Sequence, residues 1–342
     1  MRRLPLAIAV SLALMGAAPA WAQTSAPPSS QAQGGVGIGL VQIPVALANN
    51  ARAHEYIIDN LHPGTTISRK IQITNSTSTT QPVQLYAAAA SISGGKFLFG
   101  AGRAANDLTS WTTVTPATVS PAAGSKALAT VTIAVPPDAT SGEHYGVIWA
   151  ELAPAVPPGG GITARSRVGI RIYLSVGPGG GPPTSFAITA LQGRRGANGA
   201  PQLAATVHNT GGRAVDLSGS LTLSDGPGGL AAGPFAADLG TTLAPGQSEP
   251  VLVPLSPAIP DGPWDAHITL RSGTTQESAT ARITFPGAAG SAAAAVKTGS
   301  GSAASSSVDI VIPIAAVLVV LAGALSFLLL RRRRRIRRLR TP

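Results

Sequence analysis

Three short strings in this 342-residue sequence carry the residue types of serine acyl transfer. Ser93-Gly94-Gly95-Lys96 fits S-x-x-K, Ser224-Asp225-Gly226 approaches S-D-N, and Lys297-Thr298-Gly299 is K-T-G. That chemistry needs the Ser at a helix start with the Lys one turn later, and the K-T-G on a strand facing it. Two glycines inside the first string favour a turn over a helix, and the third string lies in a Gly/Ala/Ser tract, so the set does not assemble. No G-x-S-x-G is present, and the five histidines form no H-E-x-x-H. The absence of cysteine excludes disulfides, thiolate metal sites and thiol nucleophiles. His54-Glu55 and Glu143-His144 are the pairs that could meet across strands around a metal, but single histidines at strand edges are ordinarily solvated. Gly177 to Gly181 lacks the Lys-Ser/Thr of a phosphate loop and reads as a hinge. The expectation is a protein that is not an enzyme, with no cofactor and no metal.

What remains is recognition by surfaces. Tyr86, Trp111, Tyr145 and Trp149 are aromatic residues of the first half of the chain, and such residues in strands usually serve a core. In Tyr145-Gly146-Val147-Ile148-Trp149-Ala150, period two places Tyr145, Val147 and Trp149 on one face, expected to point inward. Trp111 follows a polar loop that carries Arg103 and Asn106. Arg103, Asn106, Trp111 and Glu143 are therefore the candidate binding residues: an aromatic face with a few polar anchors suits a glycan.

The elements that would position them are strands. Forty Gly and 29 Pro, one residue in five, are too many breaks for a helical protein. Thr66–Ile73, Ala127–Val135 and Arg167–Tyr173 alternate with period two, and turn clusters such as His62-Pro63-Gly64 and Asn75-Ser76-Thr77 separate them. Residues 36–177 predict an immunoglobulin-like β-sandwich. After a Gly/Pro hinge at 178–183 the pattern recurs. Leu203–Thr210 echoes Ile71–Ser76, Leu243–Gly246 echoes Val119–Gly124, and Pro260–Trp264 echoes Asp138–Tyr145, at offsets of 134, 122 and 120 residues. Residues 184–286 thus predict a second, related sandwich, and the drift in offset predicts an extra hairpin near Lys96–Asn106 in the first. The fold class is all-β, two tandem immunoglobulin-like sandwiches.

The ends supply the address. Met1-Arg2-Arg3, an apolar run to Ala18 and Ala20-Trp21-Ala22 predict a secretory signal peptide over 1–22, followed by a small, polar lead-in at 23–35. Residues 287–307 are Gly, Ala and Ser without periodicity and predict a flexible stalk. The uncharged run Ile310–Leu330, within a transmembrane helix expected at 308–330, is long enough for a ~30 Å hydrocarbon core. The Arg-rich tail at 331–342 then predicts a single pass with the N-terminus outside and the tail in the cytoplasm. The formal charge of +11 sits largely in that tail: residues 23–308 carry 15 Lys and Arg against 13 Asp and Glu, which leaves no footprint for nucleic acid.

Tyr56–Thr65, Asn106–Trp111, Val135–Ala139 and Gly142–Glu151 together resemble the N-terminal domain of the WxL-interacting surface proteins of Gram-positive bacteria, over roughly residues 37–176. The resemblance implies a peptidoglycan-binding immunoglobulin-like domain on a membrane-held protein, and the Ala/Gly/Pro/Arg-rich composition suggests an actinobacterial version. The expectation is a non-catalytic, membrane-anchored surface protein that binds cell-wall peptidoglycan through its first domain. The alternative is a scaffold that binds other surface proteins, WxL-type or its own kind, with no glycan contact.

Overall fold

The computed structural model describes residues 34–152, 165–237 and 240–298. The first ten strands are β1 (Val36–Leu40), β2 (Ile57–Leu61), β3 (Thr66–Asn75), β4 (Val83–Ser93), β5 (Lys96–Phe99), β6 (Thr112–Thr115), β7 (Thr118–Val119), β8 (Lys126–Ala134), β9 (Gly142–Leu152) and β10 (Arg167–Val176). One sheet has the order β1-β3-β8-β6, and the facing sheet β2-β10-β9-β4-β5, with β7 also on β4. Ile71 and Ile73 of β3, Val131 and Ile133 of β8, and Ile172 and Leu174 of β10 meet between them, each at 3% exposure or less. Burial of such side chains, at roughly 1.5–3 kcal/mol each, is what closes the sandwich. Two single-turn helices, α1 (Ala51–Glu55) and α2 (Asp107–Trp111), lie in the connections.

The second unit repeats this plan: β11 (Phe186–Arg195), β12 (Pro201–Asn209), β13 (Val215–Ser224), β14 (Ala232–Ala236), β15 (Thr241–Leu243), β16 (Ser248–Pro254), β17 (Gly262–Ser272), β18 (Thr275–Phe285) and β19 (Val296–Lys297). Its sheets run β16-β12-β11-β19 and β14-β13-β17-β18, around Trp264, Leu191, Ile268 and Phe285. Equivalent positions have equivalent roles. Asn75 and Asn209, both fully buried, end β3 and β12 by donating through Nδ2 to loop carbonyls and accepting a loop N–H on Oδ1. Gly142 and Gly262 open β9 and β17 with φ of 133° and 117°, a region that disfavours any side chain.

The dozen residues behind the drift in offset are not a hairpin at Lys96–Asn106. A hairpin exists in both units, as β4–β5 and β13–β14; the additional residues of the first form α2 and β6. Residues 287–298, expected as the start of a stalk, are held against β11 through Ala292 and β19. Among the described residues no helix is long and apolar enough to cross a membrane. The signal peptide, the lead-in to residue 33, the 153–164 loop, the stalk from 299, the expected span at 308–330 and the tail at 331–342 lie outside the described residues.

The register of β9 differs from the expectation. Ile148 and Ala150 enter the sandwich core, whereas Val147 and Trp149 lie on the opposite face, clustered with Tyr86 and Ala88 of β4. Trp149 is nonetheless 7% exposed. The outer face is covered, so β9 carries apolar residues on both sides and its parity cannot be read from hydrophobicity.

Candidate functional site

The covered outer face of the β2-β10-β9-β4-β5 sheet divides into two halves. At the end near β2, it meets the second sandwich. Ile58, Ile92, Phe97 and Tyr173 pack there with Ala214 from the segment before β13. Asp216 of β13 accepts from Arg52 Nε of α1 at 2.8 Å, Tyr173 Oη at 3.1 Å, Arg171 Nη1 at 3.4 Å and Thr242 Oγ1 at 2.6 Å. Arg52 also donates to the Ala214 carbonyl at 3.0 Å and stacks over Tyr173. Glu143 accepts both the Ala214 N–H and Tyr145 Oη at 2.6 Å. Burial raises the pKa of the Glu143 carboxyl, against the lowering effect of Tyr145 and the Ala214 amide. Tyr145 and Tyr173 are pushed well above the usual phenol range, mainly by burial. This half is a lock between the sandwiches.

The other half faces away from the second sandwich. Arg167 lies over the Trp149 ring at 4.1 Å from its centroid, Phe99 meets the same ring at 5.0 Å, and Arg103 lies over Tyr86 at 3.8 Å. Each guanidinium–aromatic contact contributes about 0.5–2 kcal/mol, according to how dry it is. Tyr86 Oη donates to Glu151, whose other oxygen accepts from Arg165 at 3.1 Å. The Tyr86 hydrogen bond, then Arg165, hold the Glu151 carboxyl below the usual range. Gly169 lies between these groups because a Cβ there would be 2.7 Å from the Trp149 ring. Trp149 Nε1 is buried without a hydrogen-bond partner among the described residues.

This half borders an open strand edge. β9 pairs with β10 along its whole length, but β2 covers only Ile172–Val176 on the other side. Leu152 N–H bonds to Ser166 C=O, which makes Ser166, Val168 and Ile170 the residues bonded to β9. Arg167 and Gly169 therefore direct both main-chain polar groups outward, and among the described residues neither has a main-chain partner there.

The four residues singled out from the sequence are not brought together. Arg103 is exposed and belongs to the aromatic patch, with Nη2 2.9 Å from Gln84 Oε1. Asn106 caps α2, its Oδ1 accepting from Thr109 N–H at 3.1 Å and its Nδ2 donating to the Tyr145 carbonyl at 2.8 Å. Trp111 is half-buried, packs on the core and meets the His144 ring at 4.8 Å. Glu143 belongs to the lock. Arg165 and Arg167, which complete the patch, show in the sequence only as cations at alternate positions leading into a strand. His54 and His144 each bond a main-chain carbonyl through Nε2, at 2.8 Å and 2.9 Å. Ser93 and Lys96 flank the β4–β5 turn, and Lys297 lies in β19.

No family model and no curated protein matches the chain. Among solved structures it is similar to the class 5 fimbriae chaperone CfaA, at 11% identity over 73% of this chain and 99% of that one, with a TM-score of 0.36. The YadV chaperone is similar at 12% identity over 72% and 98%, TM-score 0.38, and a PapD-like domain of human CEP192 at 13% over 49% and 100%, TM-score 0.27. At these identities and TM-scores the likeness is one of general fold alone. It corrects the expected family: the similar structures are fimbrial chaperones and PapD-like domains, not WxL-interacting surface proteins. The motifs behind that expectation have structural places in this sandwich. Asn106–Trp111 is a capped helical turn, Val135–Ala139 contains the turn before β9, and Gly142–Glu151 is the body of β9.

Proposed function

We propose that this chain is a non-catalytic, membrane-anchored surface scaffold that holds another protein chain by strand addition. The observation that supports the reading is the β10 edge, where Arg167 and Gly169 direct outward main-chain groups that have no partner among the described residues. A row of free N–H and C=O groups is a template for an extended segment of another chain, and main-chain hydrogen bonds then supply affinity. The lock around Asp216 and Glu143 favours this role, because it fixes the two sandwiches relative to each other and keeps the edge preorganised. Signal peptide, single pass and extracellular N-terminus complete the proposal, from the charge pattern of the two ends.

Wall-glycan binding has less to stand on. Stacking of a sugar needs an uncovered aromatic face, yet guanidinium groups lie over Tyr86 and Trp149, and His144 lies against Trp111. A photo-crosslinking residue at Val168 of the full-length chain on the cell surface is expected to yield protein adducts. Arg167→Pro removes an outward N–H without touching the β9 ladder and should abolish them, whereas Arg167→Ala should keep most. Glycan-bearing adducts, or protein adducts indifferent to Arg167→Pro, would overturn the reading.

A further inference from the structure

We propose that the segment added at the β10 edge is acidic on alternate residues, with apolar residues between; this rests on the strand-addition reading and names its partner by chemistry. Strand β10 presents two faces of different character. Period two puts Arg165, Arg167 and Gly169 on the outer face, and Val168 and Ile170 on the inner face. Ile170 is part of the sandwich core, and Val168, 36% exposed, is the next residue outward on that face. A strand laid antiparallel or parallel to β10 must alternate in the same way. Its inner side chains continue the apolar face begun by Ile170 and Val168, and its outer side chains stand beside Arg165 and Arg167.

Charge decides what the outer side chains are. Arg103, Arg165 and Arg167 surround a single carboxylate, Glu151, which leaves two positive charges in excess. Glu151 is already engaged by Tyr86 and Arg165. Arg103 and Arg167 have no carboxylate partner among the described residues; they are held over Tyr86 and Trp149, which fixes their position and leaves donors to spare. Gly169 has no side chain to stand between Arg167 and the added strand. A carboxylate on every second residue of the incoming segment meets these cations, while Lys or Arg there meets repulsion.

The test uses the purified full-length chain and three fluorescently labelled nine-residue peptides, acetylated and amidated so that no terminal charge contributes. One alternates Val and Glu, one alternates Val and Thr, and one has the composition of the first with its glutamates in a block. Anisotropy titrations at low salt should show the Val/Glu peptide binding about five- to tenfold more tightly than Val/Thr, the size expected from one or two cross-strand charge pairs. The block peptide should bind more weakly than either alternating one. In R165Q/R167Q, which changes only exposed or half-exposed side chains, the advantage of Glu over Thr should vanish. Equal binding of Val/Glu and Val/Thr, both lost in Arg167→Pro, would overturn the acidic partner and leave strand addition standing. Equal binding of the block peptide would overturn it as mere charge attraction. No binding by any peptide would overturn strand addition and the acidic partner together.

Discussion

Strands β9 and β17 occupy the same place in the two sandwiches, and their contrast explains most of what this molecule does with its surfaces. In β17 the inner residues Trp264, Ala266, Ile268 and Leu270 are at most 1% exposed, and they alternate with Asp265, His267, Thr269 and Arg271 on a wet face. In β9 four consecutive residues, Val147 to Ala150, are 7% exposed or less. The second sandwich needs β17 for one core only. The first uses β9 twice, for its own core through Ile148 and for a covered outer face that carries the lock and the arginine–aromatic patch.

The sharpest way to break that contrast is to remove the large side chains of each strand. Trp264→Ala empties a site enclosed on all sides and should cost ~3–5 kcal/mol, and Ile148→Ala ~2–5 kcal/mol. Trp149→Ala removes a ring covered by the partly exposed side chains of Phe99 and Arg167, where water can enter, and should cost only ~1–2 kcal/mol. Urea denaturation of the three full-length variants ranks them. If Trp149→Ala costs more than Ile148→Ala, the faces of β9 have been assigned the wrong way round.

The next effect belongs to the lock, which the second sandwich's β17 has no counterpart for. Asp216 receives Arg52, Arg171, Tyr173 and Thr242 together. Asp216→Ala strands two guanidinium groups in a partly buried site, at a cost of about 2–4 kcal/mol. Part of that cost is avoided if the sandwiches separate, so small-angle scattering should show a longer particle. An unchanged radius of gyration with unchanged stability would mean that the apolar contacts around Tyr173 hold the units without Asp216.

Much of the fold was legible because most strands have one wet face. Ile71 and Ile73 in β3, and Val131 and Ile133 in β8, announce their side by alternation. The echo of Asn209 to Asn75 was legible for a different reason: an Asn whose side chain satisfies loop carbonyls is needed wherever such a strand ends. The lock was not legible. Arg52 and Asp216 are 164 positions apart, and nothing local in either predicts the other. The candidate site was legible only in part. Arg103 and Trp149 drew notice as residue types, but the edge depends on where β2 stops along β10, a matter of tertiary pairing. Asn106 and Glu143 read as ligand anchors because polar residues beside aromatics serve equally well as caps and struts.

The smallest effect is also the most specific to the covered face of β9. Glu143 lies at the lock, facing Tyr145 on its own strand, Ala214 N–H and Arg213 of the second sandwich, and Arg52 of α1. Burial outweighs the lowering by those donors and cations, so the folded protein holds the Glu143 proton to a higher pH than the unfolded chain does. Between the ordinary glutamate value and the raised one, the folded state therefore binds more protons than the unfolded state. Stability contributed by this group must fall as pH rises through that window, and is level on either side of it. Glu143→Gln removes the titration and keeps the shape. The stability of the parent chain minus that of the variant, from urea denaturation at half-unit steps upward from about pH 4, should decline with rising pH and then flatten. A difference that rises with pH at Glu143 would mean that Arg52, Arg213 and the two hydrogen bonds outweigh burial, and that the lock is tightened by the charge instead of strained by it.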